Sequence, residues 1–333
     1  MSERNQQISR ARLSLEGLSV GDAFGQTYFG CNAQSLVPLR HIMPGVWPYT
    51  DDTVMAICIL ENLIQHGRIV QDELATAFAN RYAAEPDRGY GASARSLLRN
   101  ISEGIDWRTA SAELFDGMGS MGNGGAMRAG VIGAYFAGDM EAVVENARLS
   151  AEVTHWHPEG QAGAIAIAVA AAFASERSFK LSVSEPLRAR STAAAAPDID
   201  RMPRAKDSGR DALAQELFDA CIRHTPDSQT REGIIRAAGL DLDYAVSAAA
   251  NTLGSGYRLL SQDTVPFSIW CAARHLDNYE EALWTTVSGF GDMDTTCAIV
   301  GSIVACRTGP LGIPREWRAR AEPLPIAAPT SGT

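Results

Sequence analysis

Thirteen consecutive residues, Ala162–Ala174 (AGAIAIAVAAAFA), carry no polar side chain. Alanine is the strongest helix former, and a bilayer span needs about 20 apolar residues, so the run reads as a helix buried in protein. A helix that is apolar all round must be covered on every side. This chain therefore needs a thick shell of other elements around a central one.

The remaining sequence supplies that shell as helices. Apolar spacing predicts helices over residues 8–24, 53–66, 71–83, 92–102, 126–137, 140–151, 159–175, 212–224, 229–238, 243–252, 265–275, 279–288 and 295–307. Alternation of period two is not sustained anywhere. The alanine and glycine of GQAGAIAIAVAAAFA and CAIVGSIVACRTG let helices approach closely. The expected fold is all-α, a compact multi-helix bundle layered around buried helices. We read residues 8–320 as one domain. Residues 175–212, rich in Ser, Pro, charge and alanine, form a mobile surface insertion in this reading, and 323–333 a disordered tail.

Composition narrows the function. Apolar residues make up 46% of the 333, enough for a large core. A net charge of −10 argues against a general nucleic-acid binder. The six cysteines, Cys31, Cys58, Cys221, Cys271, Cys297 and Cys306, show no metal-ligand spacing and mostly sit in apolar helical runs. That usage fits a reducing cytoplasm. The polar start MSERNQQISRARLSLEG lacks a signal-peptide core, so the expectation is a soluble cytoplasmic protein without membrane contact.

Two stretches carry the chemistry. YTDDTVMAICILEN (49–62) places Asp51 and Asp52 side by side between Thr50 and Thr53, just before a buried helix. About 240 residues later GFGDMDTTCAIVGSIVAC (289–306) repeats the device with Asp292, Asp294 and Thr295. Capping accounts for one acid at each helix start; it leaves the others repelling one another. If the two starts converge, Thr50, Asp51, Asp52, Asp292, Asp294 and Thr295 form a cluster of hard oxygen ligands suited to Mg2+, Mn2+ or Ca2+. Four carboxylates suffice for two ions.

GMGSMGNGGAMRAG (117–130) has six glycines and leads into a helix, an arrangement that lets backbone N–H groups cradle an anion. DRGYGASA (87–94) is a shorter glycine turn. GDAFG (21–25) reads as close-packed helix in which Asp22 orients a neighbour, and QDTVP (262–266) as a helix start capped by Asp263 or Thr264 with Pro266 in the first turn. In THWHPEG, His155 and His157 have no Cys or His cluster to complete a zinc site.

Taken in order, GLSVGDAFG, YTDDTVM, RGYGA, GSMGNGGAMR, THWHPEG and GDMDTTCAIVGSI resemble the ADP-ribosylglycohydrolase family across about residues 12–310. The family includes dinitrogenase reductase-activating glycohydrolases and ADP-ribosyl-acceptor hydrolases. The resemblance implies an all-α fold, two Mg2+ (or Mn2+) ions, and hydrolysis of the C1″ glycosidic bond joining ADP-ribose to an acceptor. It implies metal ligation by Thr50, Asp51, Asp52, Asp292, Asp294 and Thr295. It also implies substrate binding by Gly91, by Gly119, Ser120, Met121, Gly122 and Asn123 around the diphosphate and distal ribose, and by His155 at the nucleoside end.

Many relatives carry a glutamate four residues after the second glycine of GDAFG; here GDAFGQTYFG places Phe29 there. The role of that glutamate then falls to a metal-linked aspartate or to water, with Asp52 or Asp292 expected to orient or deprotonate the attacking water. The expected substrate is an ADP-ribosylated protein or small molecule, with nucleic acid entering only as a modified substrate. An all-α isoprenoid synthase is a poor fit, because its D-D-x-x-D motif would need an acid where Met55 stands. A second reading, prompted by Phe29, is an inactive ADP-ribose-binding module of the same fold.

Overall fold

A computed structural model describes residues 2–178 and 208–325. The described residues contain helices and no strand; pairing is limited to isolated bridges, Trp47 with Ala321 and Gly122 with Leu260. The fold is all-α, as expected. Most of the expected insertion and of the expected tail lies outside the described residues. At the edges of the insertion, helices run on to Glu176 and start again at Ser208.

The apolar run is the middle of the helix Pro158–Glu176, in which every residue from Ala162 to Ser175 is buried. His157 caps its start by accepting the N–H of Glu159 on Nδ1 at 3.0 Å, and Pro158 occupies the first position. It packs against Gly130–Tyr135, Met140–Glu152, Met293–Thr308, Ser208–His224 and Ser261–Arg274. The shell demanded by its composition is therefore present.

A second device sets the functional end of the molecule. Gly17, Gly21 and Gly25 fall four residues apart on the first helix, Glu3–Gln26, and make a bare stripe along it. A Cβ on Gly17 would lie 2.4 Å from the carbonyl oxygen of Gly301, one on Gly21 2.2 Å from that of Cys297, and one on Gly25 2.2 Å from that of Met293. The first helix thus lies backbone to backbone, antiparallel, on Met293–Thr308. Asp22, beside Gly21 in sequence, is carried to the start of the last long helix, where Asp292 and Asp294 stand.

Several helix boundaries differ from expectation; the first helix starts at Glu3 rather than at residue 8, and two further differences bear on the site. The stretch 126–137 splits into Gly124–Met127 and Gly130–Tyr135. The Gly124 carbonyl, which a continued helix would give to the N–H of Arg128, accepts from that residue's guanidinium at 3.0 Å. The helix expected at 265–275 runs from Ser261 to Arg274, so Pro266 sits in its second turn, packed over Gly233. Asp263 does not cap it; its carboxylate accepts the N–H of Arg258 at 2.7 Å. The short helices Trp107–Ala112 and Arg315–Arg320 lie outside the expected set.

Candidate metal centre and its surroundings

Thr50 is extended and caps the helix Asp51–His66, so Asp51 and Asp52 occupy the first turn at the positive end of its dipole. The approach to this turn is clamped from outside. The Asp51 N–H donates to the Arg88 carbonyl at 2.7 Å, and the Arg88 guanidinium lies 4.4 Å over the Tyr49 ring and pairs with Glu322 at 2.7 Å.

Asp22 is fully buried and accepts four hydrogen bonds. Oδ2 takes the N–H of Thr50 (2.9 Å), the N–H of Thr53 (3.2 Å) and the Thr53 hydroxyl (2.6 Å), while Oδ1 takes the Thr50 hydroxyl (2.9 Å). Oxygens of Asp22, Asp52 and Asp294 all lie within 4.8 Å of one another. Of these three, Asp22 is the one bound by both Thr50 and Thr53, and it holds the Thr-Asp-Asp-Thr turn in place.

Asp52 is buried and its Oδ1 has no hydrogen-bond partner. Its Oδ2 lies 3.0 Å from the Thr50 hydroxyl and 3.4 Å from that of Thr295. The single Thr50 proton faces both Asp22 and Asp52, so one of the two carboxylates lacks it. Asp292 Oδ2 accepts from the Asn123 amide at 2.7 Å, and the Asp292 N–H donates to Ser255 at 2.9 Å. Asp294 Oδ1 accepts the N–H of Thr295 at 2.8 Å. The two helix starts do converge.

Burial raises every one of these carboxyls, and neighbouring aspartates add to it at Asp51, Asp52 and Asp294. Burial, then Asp22, pushes Asp51 up to about 7, and burial pushes Asp22 up to about 6 against its hydrogen bonds. Asp52 and Asp294 rise well above the ordinary range, first by burial and then by the surrounding aspartates, and burial raises Asp292. An orphaned buried oxygen, a deficit of protons and a donor set made only of carboxylate and hydroxyl oxygen fit a hard divalent cation.

One buried cation serves this region, and it was not among the residues singled out by sequence. Arg128 is wholly inaccessible, donates to the carbonyls of Gly124 and Ser150 (both 3.0 Å) and to the Thr154 hydroxyl (2.8 Å), and lies 4.6 Å over the Phe78 ring. Burial pushes it down to about 9, while Cys58 and Asp51 act the other way. A lone charge in GGAMRAGVIGAYFAG was the available signal.

The glycine loop lies beside the acids. Asn123 bridges from it, donating to Thr264 (3.0 Å) as well as Asp292. Its amide therefore holds a carboxylate of the centre, a role its place in the loop did not suggest. Ser120 accepts the N–H of Gly122 (3.1 Å), the Met121 carbonyl accepts the N–H of Ser261 (3.0 Å), and Gly119 backs onto Trp156, where a Cβ would fall 2.9 Å from that of the tryptophan. His155 is buried behind Gly122 and Gly124, and burial, then Arg128, drives its imidazole down to about 3. Gly91 caps the helix Ala92–Ser102 at the surface; Gly89 is the glycine of that turn near the acids, a Cβ there being 3.4 Å from Asp51 Oδ1. Phe29 is 42% exposed, three residues beyond the end of the first helix.

Fold and site together define an all-α protein with a buried acidic centre walled by a glycine-rich loop. The sequence profile described as ADP-ribosylglycohydrolase matches residues 3–328. The chain belongs to the ADP-ribosylglycohydrolase family. It is 29% identical to the human protein named ADP-ribosylhydrolase ARH3 over 350 residues, covering 95% of this chain and 90% of that one. The bovine ARH3 is likewise 29% identical, and an uncharacterized protein of Archaeoglobus fulgidus is 26% identical over 311 residues, covering 90% of this chain and 88% of its own. A solved structure titled ADP-ribosylglycohydrolase-related protein complex shares the fold with a TM-score of 0.62 at 21% identity, covering 96% of this chain and 94% of that one. No described helix is long and apolar enough to cross a membrane.

Proposed function

We propose that this protein hydrolyses the C1″ glycosidic bond between ADP-ribose and an acceptor, reversing ADP-ribosylation in the cytoplasm. The acceptor is a protein side chain, arginine being our first choice, or a related small molecule. Residues 8–320 act as one catalytic domain. Family membership supports the reaction class, and the free cysteines support the compartment. The observation that carries the reading is the convergence of Asp52 and Asp294 from two distant helix starts, with one Asp52 oxygen left unpaired.

Two Mg2+ or Mn2+ ions would be held by Thr50, Asp51, Asp52, Asp292, Asp294 and Thr295. When bound they supply charge neutralisation and Lewis acidity toward the ribose diol and a water. The chain's own residues do the rest. Asp22 fixes Thr50 and Thr53, and Asn123 fixes Asp292. Asp52 or Asp292 takes the proton of the attacking water, and the released acceptor regains a proton from solvent or from a carboxylate of the centre. Carboxylates around C1″ stabilise the positive charge that develops as the bond breaks. Gly119, Ser120, Met121 and Gly122, with Gly91 at the outer turn and His155 at the nucleoside end, grip the remote part of the substrate and so position C1″.

The test is a panel of arginine-linked and serine-linked ADP-ribosyl proteins and ADP-ribosylated nucleic acid, with Mg2+, Mn2+ or chelator. Release of ADP-ribose from one class, abolished by chelator, is expected. Tight ADP-ribose binding without release from any class would replace this reading with a binding module.

A further inference from the structure

We infer that Arg128 and Thr154 form a positioning relay that fixes His155 as the Nε2–H tautomer, so that it presents a hydrogen-bond donor, never an acceptor, to the ligand beside the glycine loop. The ligand part of this inference rests on the function proposed above; the tautomer does not.

The argument is one of donors and acceptors. Thr154 Oγ1 accepts from Arg128 at 2.8 Å and lies 2.7 Å from His155 Nδ1. The guanidinium has only protons to give, so the hydroxyl must accept there. The hydroxyl proton then needs an acceptor of its own, and among the described residues His155 Nδ1 is the one it has. The opposite tautomer would turn Nδ1–H toward an oxygen already accepting from Arg128 and leave a buried O–H unmade, which costs about 1–3 kcal/mol. Nδ1 is therefore the acceptor and the ring proton sits on Nε2.

Nε2 lies on the loop side of the ring. A Cβ on Gly122 would sit 3.1 Å from it and one on Gly124 3.2 Å. No Cβ from Gly122 or Gly124 covers that edge, and His155 keeps 9% of its surface exposed. The same arginine binds the Gly124 carbonyl, so one buried cation sets both the loop and the imidazole. Burial and Arg128 keep the ring neutral, which a fixed tautomer requires. The partner on the ligand must be a bare acceptor, such as an unprotonated ring nitrogen or an ether or carbonyl oxygen of the nucleoside part.

Long-range 1H–15N correlation spectra of histidine-labelled protein report the tautomer directly, with His155→Gln identifying the resonance. The wild type and Thr154→Ser should show a protonated Nε2 and a bare Nδ1. Thr154→Val should lose that pattern, raise KM for an ADP-ribosylated substrate about tenfold and leave kcat in place, the loss of one well-aligned hydrogen bond. A protonated Nδ1 in the wild type would overturn the relay, as would an unchanged His155 in Thr154→Val. The spectra need no turnover, so failure of the relay stays separate from failure of the proposed reaction.

Discussion

Asp22 Oδ2 accepts a hydrogen bond of 2.6 Å from the hydroxyl of Thr53, and both groups are wholly buried. This bond and the three others to Asp22 tie the first helix to the Thr-Asp-Asp-Thr turn. Partners behind a metal ligand typically carry 10–100-fold of metal affinity. Asp22→Ala should therefore weaken Mn2+ binding by about that factor in calorimetric titration. Unchanged affinity would mean that the turn holds its shape without Asp22.

The raised carboxyls make metal binding proton-linked. Unfolded aspartate ionises near pH 4, whereas Asp51 sits at about 7 and Asp52 and Asp294 also stand above the ordinary range. For acids raised by folding, the stabilising contribution is present at low pH and is lost as pH rises through the folded values. His155 and His275, driven down to about 3 and about 4 by burial, work in the opposite direction but do so with and without metal. The increase in Tm on adding Mg2+ should accordingly grow between about pH 5 and 7.5, because the cation replaces the protons that these acids lose. Thermal scans with Mg2+ and with chelator would check it, and an increment independent of pH would contradict it.

Arg128→Met removes the buried fork that joins Gly124, Ser150 and Thr154. Leaving buried polar groups without partners costs about 3 kcal/mol or more, to be read from urea unfolding. Arg128→Lys should recover only part of that, since an ammonium cannot reproduce the planar fork. A loss under about 1 kcal/mol would show that these carbonyls find other donors.

How legible this was in the sequence depends on range. The two acidic helix starts were legible because each is a local pattern of cap, acid and apolar run, and the burial of Ala162–Ala174 followed from composition alone. The strength of Asp22 was not, because it depends on where Gly17, Gly21 and Gly25 set the first helix against a helix nearly 280 residues away. Four-residue glycine spacing was the signal. Asn123 read as loop and serves the acidic centre for the same reason: its partners, Thr264 and Asp292, are remote in sequence. Pro266 suggested a helix start and lies inside the helix, because Gly233 leaves room for its ring.

Glu159 provides a control away from the chemistry. Its carboxylate accepts the N–H groups of Gln229 (3.0 Å) and Thr230 (2.6 Å) and the Thr230 hydroxyl (2.5 Å), and so caps the helix Gln229–Ala238 from outside. Glu159→Ala should lower stability by about 2 kcal/mol while leaving kcat unchanged. A fall in kcat at full folding would place this acid nearer the reaction than its partners suggest.

The central claim is that the two aspartate motifs act as one metal-dependent hydrolytic site. The most direct measurement is ADP-ribose release from an arginine-ADP-ribosylated protein by wild type and Asp292→Ala, each with Mg2+ and with EDTA. The account predicts release by the wild type with Mg2+ alone, and a loss of at least about a hundredfold in the variant, in keeping with removal of a group that stabilises the transition state. Release that persists in EDTA, or in a folded Asp292→Ala, would contradict it.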